Sequence, residues 1–176
     1  GAARRAAELR ERIETVFLGG GQAGLSAGYH LAQLGRPFVI IARNARIGDA
    51  WRKRWDSLRL FTPARFNGLV GMPFPAPKHS FPTKDEMAGY LEAYAARFQL
   101  PVRTGARVER VWRVGETLMV STGGSGIEAE NDLIAMASYQ ATRFPPFAAA
   151  PSTQITQLHP LDYRYVAQRP ARARWR

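Results

Sequence analysis

The chain has 176 residues, of which 45% are hydrophobic and 22% charged, and it carries a formal net charge of +11. That balance belongs to a folded globular protein with room for one substantial core, not to a disordered chain. There is no cysteine, which excludes disulfides, cysteine-ligated zinc or iron–sulfur centres and any thiol–disulfide relay.

In chain order, residues 3–13 are rich in Ala, Glu, Leu and Arg and read as an N-terminal helix, so residues 1–13 form a unit of their own. The early arginines are not followed by an apolar core segment, so no signal peptide is expected. No apolar run reaches membrane-spanning length, and a cytosolic protein is expected. The first residue is Gly, consistent with a processed chain or a fragment.

A short apolar strand, Thr15-Val16-Phe17-Leu18, leads into Gly19-Gly20-Gly21-Gln22-Ala23-Gly24, and a helix over residues 22–34 follows, closed by Gly35. Strand, glycine turn and helix are the context in which this G-x-G-x-x-G spacing points to a bound dinucleotide. The first glycine permits the turn, the second the approach of a pyrophosphate, and the third close packing of helix on sheet. The free N–H groups and partial positive charge of the helix N-terminus suit the anion. A second strand, residues 38–41, comes next. About 20 residues beyond the loop, where an acid would hold the ribose hydroxyls, stand Ala42 and Arg43. Ala cannot accept those hydrogen bonds, and Arg43 raises the alternative of a ribose 2′-phosphate, hence NADP.

Residues 43–82 are rich in Pro, Gly and aromatic side chains and read as a long ordered loop, with a short helix at residues 49–55. A loop of that length inside a domain is usually functional. Trp51 and Trp55, four apart, share a helical face and either wall a cofactor site or pack. Arg52, Lys53 and Arg54 read as solvated. Thr83-Lys84-Asp85-Glu86 is a capping box, and behind it Met87, Tyr90, Leu91, Tyr94 and Phe98 recur at helical spacing, the pattern of a face packed on a sheet.

A third strand is expected at residues 101–104. Residues 108–114 and 117–121 alternate in polarity around Gly115-Glu116 and predict a hairpin. A glycine-rich turn at 123–126 precedes residues 127–130 and an apolar strand over 133–137, which contains Ala135 and Ala137. His30, His79 and His159 lack metal-ligand spacing, and no G-x-S-x-G nucleophile elbow is present. The final segment, residues 164–176, holds five Arg and no acid and is expected to be a disordered basic tail. Elsewhere the basic residues are scattered among acids, without a recognition helix or an aromatic–basic platform, so nucleic acid is not the expected partner.

Together these elements predict an α/β chain: an incomplete Rossmann-type FAD/NAD(P)-binding sheet over residues 14–163 with a small β-meander insertion. Several linked segments carry a resemblance: the glycine loop; Ile47-Gly48-Asp49-Ala50-Trp51-Arg52; residues 54–63; and Met72-Pro73-Phe74-Pro75. In this order they resemble the FAD-binding half of the flavin-containing monooxygenases, near the plant auxin-forming and Baeyer–Villiger enzymes. The resemblance implies FAD with its pyrophosphate at Gly19, Gly21 and Gly24. It places Gly48, Asp49 and Trp51 along the cofactor, Leu60 on the flavin side, Val108 by the adenine, and Ala135 and Ala137 near the flavin. It also implies that NADPH reduces the flavin and that oxygen then oxidises the substrate, which the sequence does not identify. Three departures accompany it. The ribose acid falls on Ala42, the family's Ala-Thr-Gly segment reads Ala135-Met136-Ala137, and no second glycine motif for NADPH occurs. An FAD-binding fragment that is not catalytically complete is therefore expected. A non-catalytic dinucleotide module is the alternative, and a nucleic-acid-docking basic protein a third.

Overall fold

The computed structural model describes residues 10–137, 141–149 and 156–168. Six strands, β1 (Arg10–Leu18), β2 (Phe38–Ile41), β3 (Val102–Arg103), β4 (Val108–Val114), β5 (Thr117–Thr122) and β6 (Ser125–Ile134), form one sheet in the order β3-β2-β1-β6-β5-β4. β1 runs parallel to both β2 and β6, and β2 parallel to β3. The β4, β5 and β6 strands form an antiparallel meander. The meander is thus continuous with the parallel half, and β6 belongs to both.

The centre of the sheet is apolar on both faces, as strands covered on both sides must be. Successive side chains point to opposite faces. Phe17 and Ile40 go to one core, with Leu25 of helix α1 (Gln22–Gln33) and Met87, Leu91 and Tyr94 of helix α3 (Lys84–Arg97). Val16, Leu18, Val39 and Ile41 go to the other, with Val120, Ile127 and Ala129 of the meander. Helices cover one face and the meander curls over the other. Gly28 brings α1 down on the sheet: a Cβ there would meet Ile40 Cδ1 at 2.9 Å.

Helix α3 begins where the sequence predicts. The Glu86 amide donates to Thr83 Oγ1 at 3.2 Å, and the Thr83 amide donates to Glu86 Oε2 at 2.7 Å. These bonds, that from the Thr83 amide first, hold the Glu86 carboxyl below its ordinary value. Glu92 is lowered in the same direction, chiefly by Arg46. Their stabilisation is complete above the unfolded value of 4.5 and is lost as pH falls through the depressed folded values. Thermal melts should therefore be flat on this account from neutral pH down to about 4.5 and decline below it. A decline already complete above pH 5 would assign acid unfolding to other groups.

The long segment between α2 (Asp49–Arg52) and α3 is ordered by its own pairing. The Leu60 amide donates to Pro82 O, Lys84 to Leu58 O and Ala64 to Ser80 O, all within 3.1 Å. Two tyrosines of α3 add to this. The Tyr90 hydroxyl accepts from the Leu69 amide and donates to Met72 O, both at 2.6 Å, and Tyr94 donates to Val70 O at 2.8 Å. Burial, with Tyr90 and Tyr29 nearby, pushes the Tyr94 phenol up to about 12, so it remains a donor.

Three expectations change. Residues 10–13, read as the end of a helix, are strand: pairing with β6 from Arg10↔Gly126 onward outweighs local helix propensity. Residues 3–9 lie outside the described residues. The strand expected over 133–137 ends at Ile134, where its β1 partner Leu18 gives way to the glycine loop. It begins earlier, at Ser125, because residues 125–129 close a hairpin with β5. Finally, Arg164, grouped with the basic tail, is tied to the body. The Asp56 amide donates to Arg164 O at 2.8 Å, and its guanidinium donates to Arg54 O at 3.3 Å. Tyr165 and Val166 are exposed, and residues 169–176 lie outside the described residues.

Candidate functional site

The glycine loop sits where β1 ends and α1 begins. The Gly19 amide donates to Ile41 O at 2.9 Å, and the Ala135 amide donates to Leu18 O at 2.9 Å. The loop is thereby fastened to the ends of β2 and β6 at once. Gly19 has φ +127°, and a Cβ there would lie 2.6 Å from Ala135 O. A Cβ on Gly24 would lie 2.0 Å from Gly19 O. These two glycines let three backbone segments pack without side chains between them.

Gly21 differs. A Cβ there would meet nothing within 4 Å, so this side of the loop is open. Gly21 is also the N-cap of α1, with no side chain capping the helix and no acid in its first turn. The amides at that end therefore face the opening with a partial positive charge. This is the arrangement an anionic pyrophosphate requires. Gln22 and Ala23 are exposed beside it. At this end, the residues present fit a dinucleotide.

Position 42, where the sequence leads one to expect a ribose acceptor, is Ala. Ala42 is buried, and its Cβ would stand 2.9 Å from a Cβ on Gly20, so position 42 is directed at the loop. A methyl group occupies that position, and Arg43 beside it is exposed.

The structure gathers Gly19, Gly20, Gly24, Ala42 and Ala135 into one contact set, with Gly21, Gln22 and Ala23 at the opening. The other expected residues separate from it by role. Leu60 is a core side chain and faces the first cluster, while its neighbour Phe61 is 91% exposed. Val108 packs against the second cluster. Trp51 packs against the first, which favours packing for its side chain. Ala137 and Met136 are exposed just beyond β6.

The segment around Gly48 contains what sequence reading missed. Arg52, read as solvated, has a side chain only 23% exposed. It donates to Ile47 O at 2.8 Å, to Asp49 at 3.0 Å and to Glu92 of α3 at 2.9 Å. Asp49 is held below its ordinary value although burial, the largest influence, acts against this. The Arg52 hydrogen bond and the Arg46 amide outweigh it. Lys84, itself buried, donates to Arg52 O at 3.2 Å. The run Arg52-Lys53-Arg54 gave no signal that its first member turns inward.

A cavity of about 580 Å³ lies elsewhere, among Glu11, Arg12, Glu14, Phe38, Pro101 and Arg103 at the opposite end of the strands. Its charges are paired, Arg103 with Glu11 and Arg36 with Glu14 at 2.6 Å each, and it lacks an open helix N-terminus. The glycine loop is the better candidate because its groups remain available to a ligand. Among the described residues no cluster of His, Asp or Glu could hold a metal, and no helix is long and apolar enough to cross a membrane.

Comparison with known proteins agrees with this geometry. Residues 16–168 match the family described as pyridine nucleotide-disulphide oxidoreductase. An uncharacterized CzcO-like oxidoreductase of Geobacillus kaustophilus is 39% identical over 91% of this chain and 46% of its own length. Indole-3-pyruvate monooxygenase YUCCA1 of Oryza sativa subsp. japonica is 32% identical over 88% of this chain and 40% of its own. The solved flavin-containing monooxygenase of Stenotrophomonas maltophilia superposes with a TM-score of 0.68 at 38% identity, covering 71% of this chain and 38% of that one. The chain spans about half the length, or less, of the curated relatives it matches.

Proposed function

Because this chain belongs to the pyridine nucleotide-disulphide oxidoreductase family, among its flavin-dependent monooxygenase-like oxidoreductases, we propose that it is the FAD-binding portion of such an enzyme. The observation that carries this reading is the open, acid-free N-terminus of α1 at Gly21, framed by Gly19 and Gly24 packed backbone to backbone. The amides at residues 20–24 would hold the pyrophosphate. The segment from Gly48 to Trp51 would line the cofactor, and the backbone of Ala135 to Ala137 would approach it beyond β6. When bound, FAD supplies the redox chemistry, taking up a hydride and reacting with oxygen. The protein's share is to bind, orient and exclude water. The 176 residues contain no second glycine motif. We therefore assign this chain alone flavin binding without NADPH turnover.

A second reading rests on Ala42 and Arg43. With the acceptor replaced by a methyl and an exposed guanidinium next to it, the ribose end would favour a 2′-phosphate over a diol. One titration separates the two. If FAD is the ligand, Ala42→Glu restores hydrogen bonds worth about 1–3 kcal/mol and tightens FAD binding about tenfold or more. In the same assay 5′-ADP and 2′,5′-ADP should compete alike. Equal or poorer FAD binding by Ala42→Glu, with 2′,5′-ADP the stronger competitor, would replace FAD by NADP at this site.

A further inference from the structure

Lys84, Ala88 and Glu92 are four residues apart on α3 and so form one stripe along it. Each meets the segment from Arg46 to Arg52. Lys84 Nζ donates to the Arg52 carbonyl at 3.2 Å. Gly48, at φ +86°, presses on Ala88 so closely that a Cβ would stand 2.5 Å from the Ala88 carbonyl oxygen. Glu92 accepts from the guanidinium of Arg52 at 2.9 Å and from that of Arg46 at 3.2 and 2.9 Å. Arg52 in turn donates to Ile47 O and Asp49, on either side of Gly48. The turn is only four helical residues long and has little regular structure to fix it. Its position is set from outside.

We propose that Glu92 is a positioning residue for the cofactor site, acting through Arg52 and Arg46 to hold the turn from Gly48 to Trp51 at the distance from the glycine loop that a bound FAD requires. In this role Glu92 acts through the two guanidinium groups and not on the cofactor itself. It ties Arg52, which also donates to Ile47 O and Asp49, and the largely exposed Arg46 to α3, and so fastens the turn to that helix. Lys84, through its buried ammonium, and Ala88, through its backbone, fix the same turn, so Glu92, which is partly exposed, is the part of the stripe that substitution can remove without rebuilding the packing. This inference rests on the FAD reading.

The sign of the expected effect distinguishes positioning from simple charge. Removing a carboxylate makes the protein more positive, and by long-range electrostatics alone that favours an anionic dinucleotide. If Glu92 positions the turn, its removal acts the other way. The test is FAD affinity by quenching of flavin fluorescence for the full chain and for Glu92→Gln, at a temperature well below both melting transitions. Glu116→Gln in the exposed β4–β5 turn serves as a charge control. FAD binding about tenfold weaker in Glu92→Gln, unchanged or slightly tighter in Glu116→Gln, and an altered visible spectrum of the flavin held by Glu92→Gln are expected. Unchanged or tighter binding by Glu92→Gln overturns the inference, including where its melting temperature falls, because the residue would then be merely structural. Failure of the unmodified chain to take up FAD overturns the cofactor reading and this inference with it. Uptake by that chain with no change in Glu92→Gln overturns the inference alone.

Discussion

Gly24→Ala will unfold the glycine loop, whereas Gly21→Ala will leave the fold intact and abolish FAD binding. The contrast follows from what a single methyl would meet. At Gly24 it would lie 2.0 Å from the Gly19 carbonyl oxygen, which is backbone and cannot move aside as a side-chain tip would. Gly19 is itself fastened to Ile41 O, and its other side is closed by the Ala135 carbonyl. Relief requires α1 to withdraw from the sheet, which loosens the fully buried Leu25. Overpacking of this kind costs about 3 kcal/mol, enough to lower the melting temperature of a domain this size by roughly 10 °C. At Gly21 the same methyl meets nothing, and φ there is −91°, where any residue is at ease. It occupies only the space through which a pyrophosphate reaches the amides. Thermal melts and FAD titrations on both variants check the pair. A stable Gly24→Ala or a Gly21→Ala that binds FAD as before would contradict the packing described here.

The second large effect lies in the loop-bearing core. Tyr94 is fully buried, with Tyr90, Phe98 and Tyr29 rings at centroid distances of 6.1, 4.9 and 6.1 Å. Tyr94→Ala removes the centre of that cluster and should cost about 3–5 kcal/mol. Tyr94→Phe keeps the ring and removes only the hydrogen bond to Val70 O. Because Val70 is half exposed, water can reach that stretch of chain, and the cost should be about 1 kcal/mol. Denaturant melts measure both. Equal losses would mean that the hydrogen bond to the loop, and not the ring packing, carries the stability at this position.

Much of this was legible in the residues because local and global signals agreed. The run Thr15-Val16-Phe17-Leu18 before the glycines, the capping box at Thr83 and the spacing of Met87, Tyr90, Leu91 and Tyr94 each have one stable solution, and each appears in the fold. The strand Phe38–Ile41 is apolar throughout and could only be central. What was not legible depends on distant partners. Arg10 to Ile13 carry helix-forming residues, yet β6, more than a hundred residues later, pairs with them. Gly123-Gly124 signalled a turn, but not that β6 would run unbroken from meander to parallel sheet. Of the site, the glycine loop was readable because its chemistry resides in backbone, which glycine spacing reports. The inward turn of Arg52 was not, because a guanidinium at the head of the basic run Arg52-Lys53-Arg54 looks solvated until Glu92 is known to face it. Leu60 shows the converse: its segment carried the resemblance, while its own side chain went to the core.

The central claim is that the loop from Gly19 to Gly24 holds one FAD. Equilibrium dialysis of FAD against the unmodified chain and Gly21→Ala tests it most directly, since it detects weak binding without washing the ligand away. Saturable excess flavin on the protein side, approaching one per chain and lost in Gly21→Ala, is the predicted result. Flavin at equal concentration on both sides of the membrane, or an excess that Gly21→Ala retains unchanged, would contradict it.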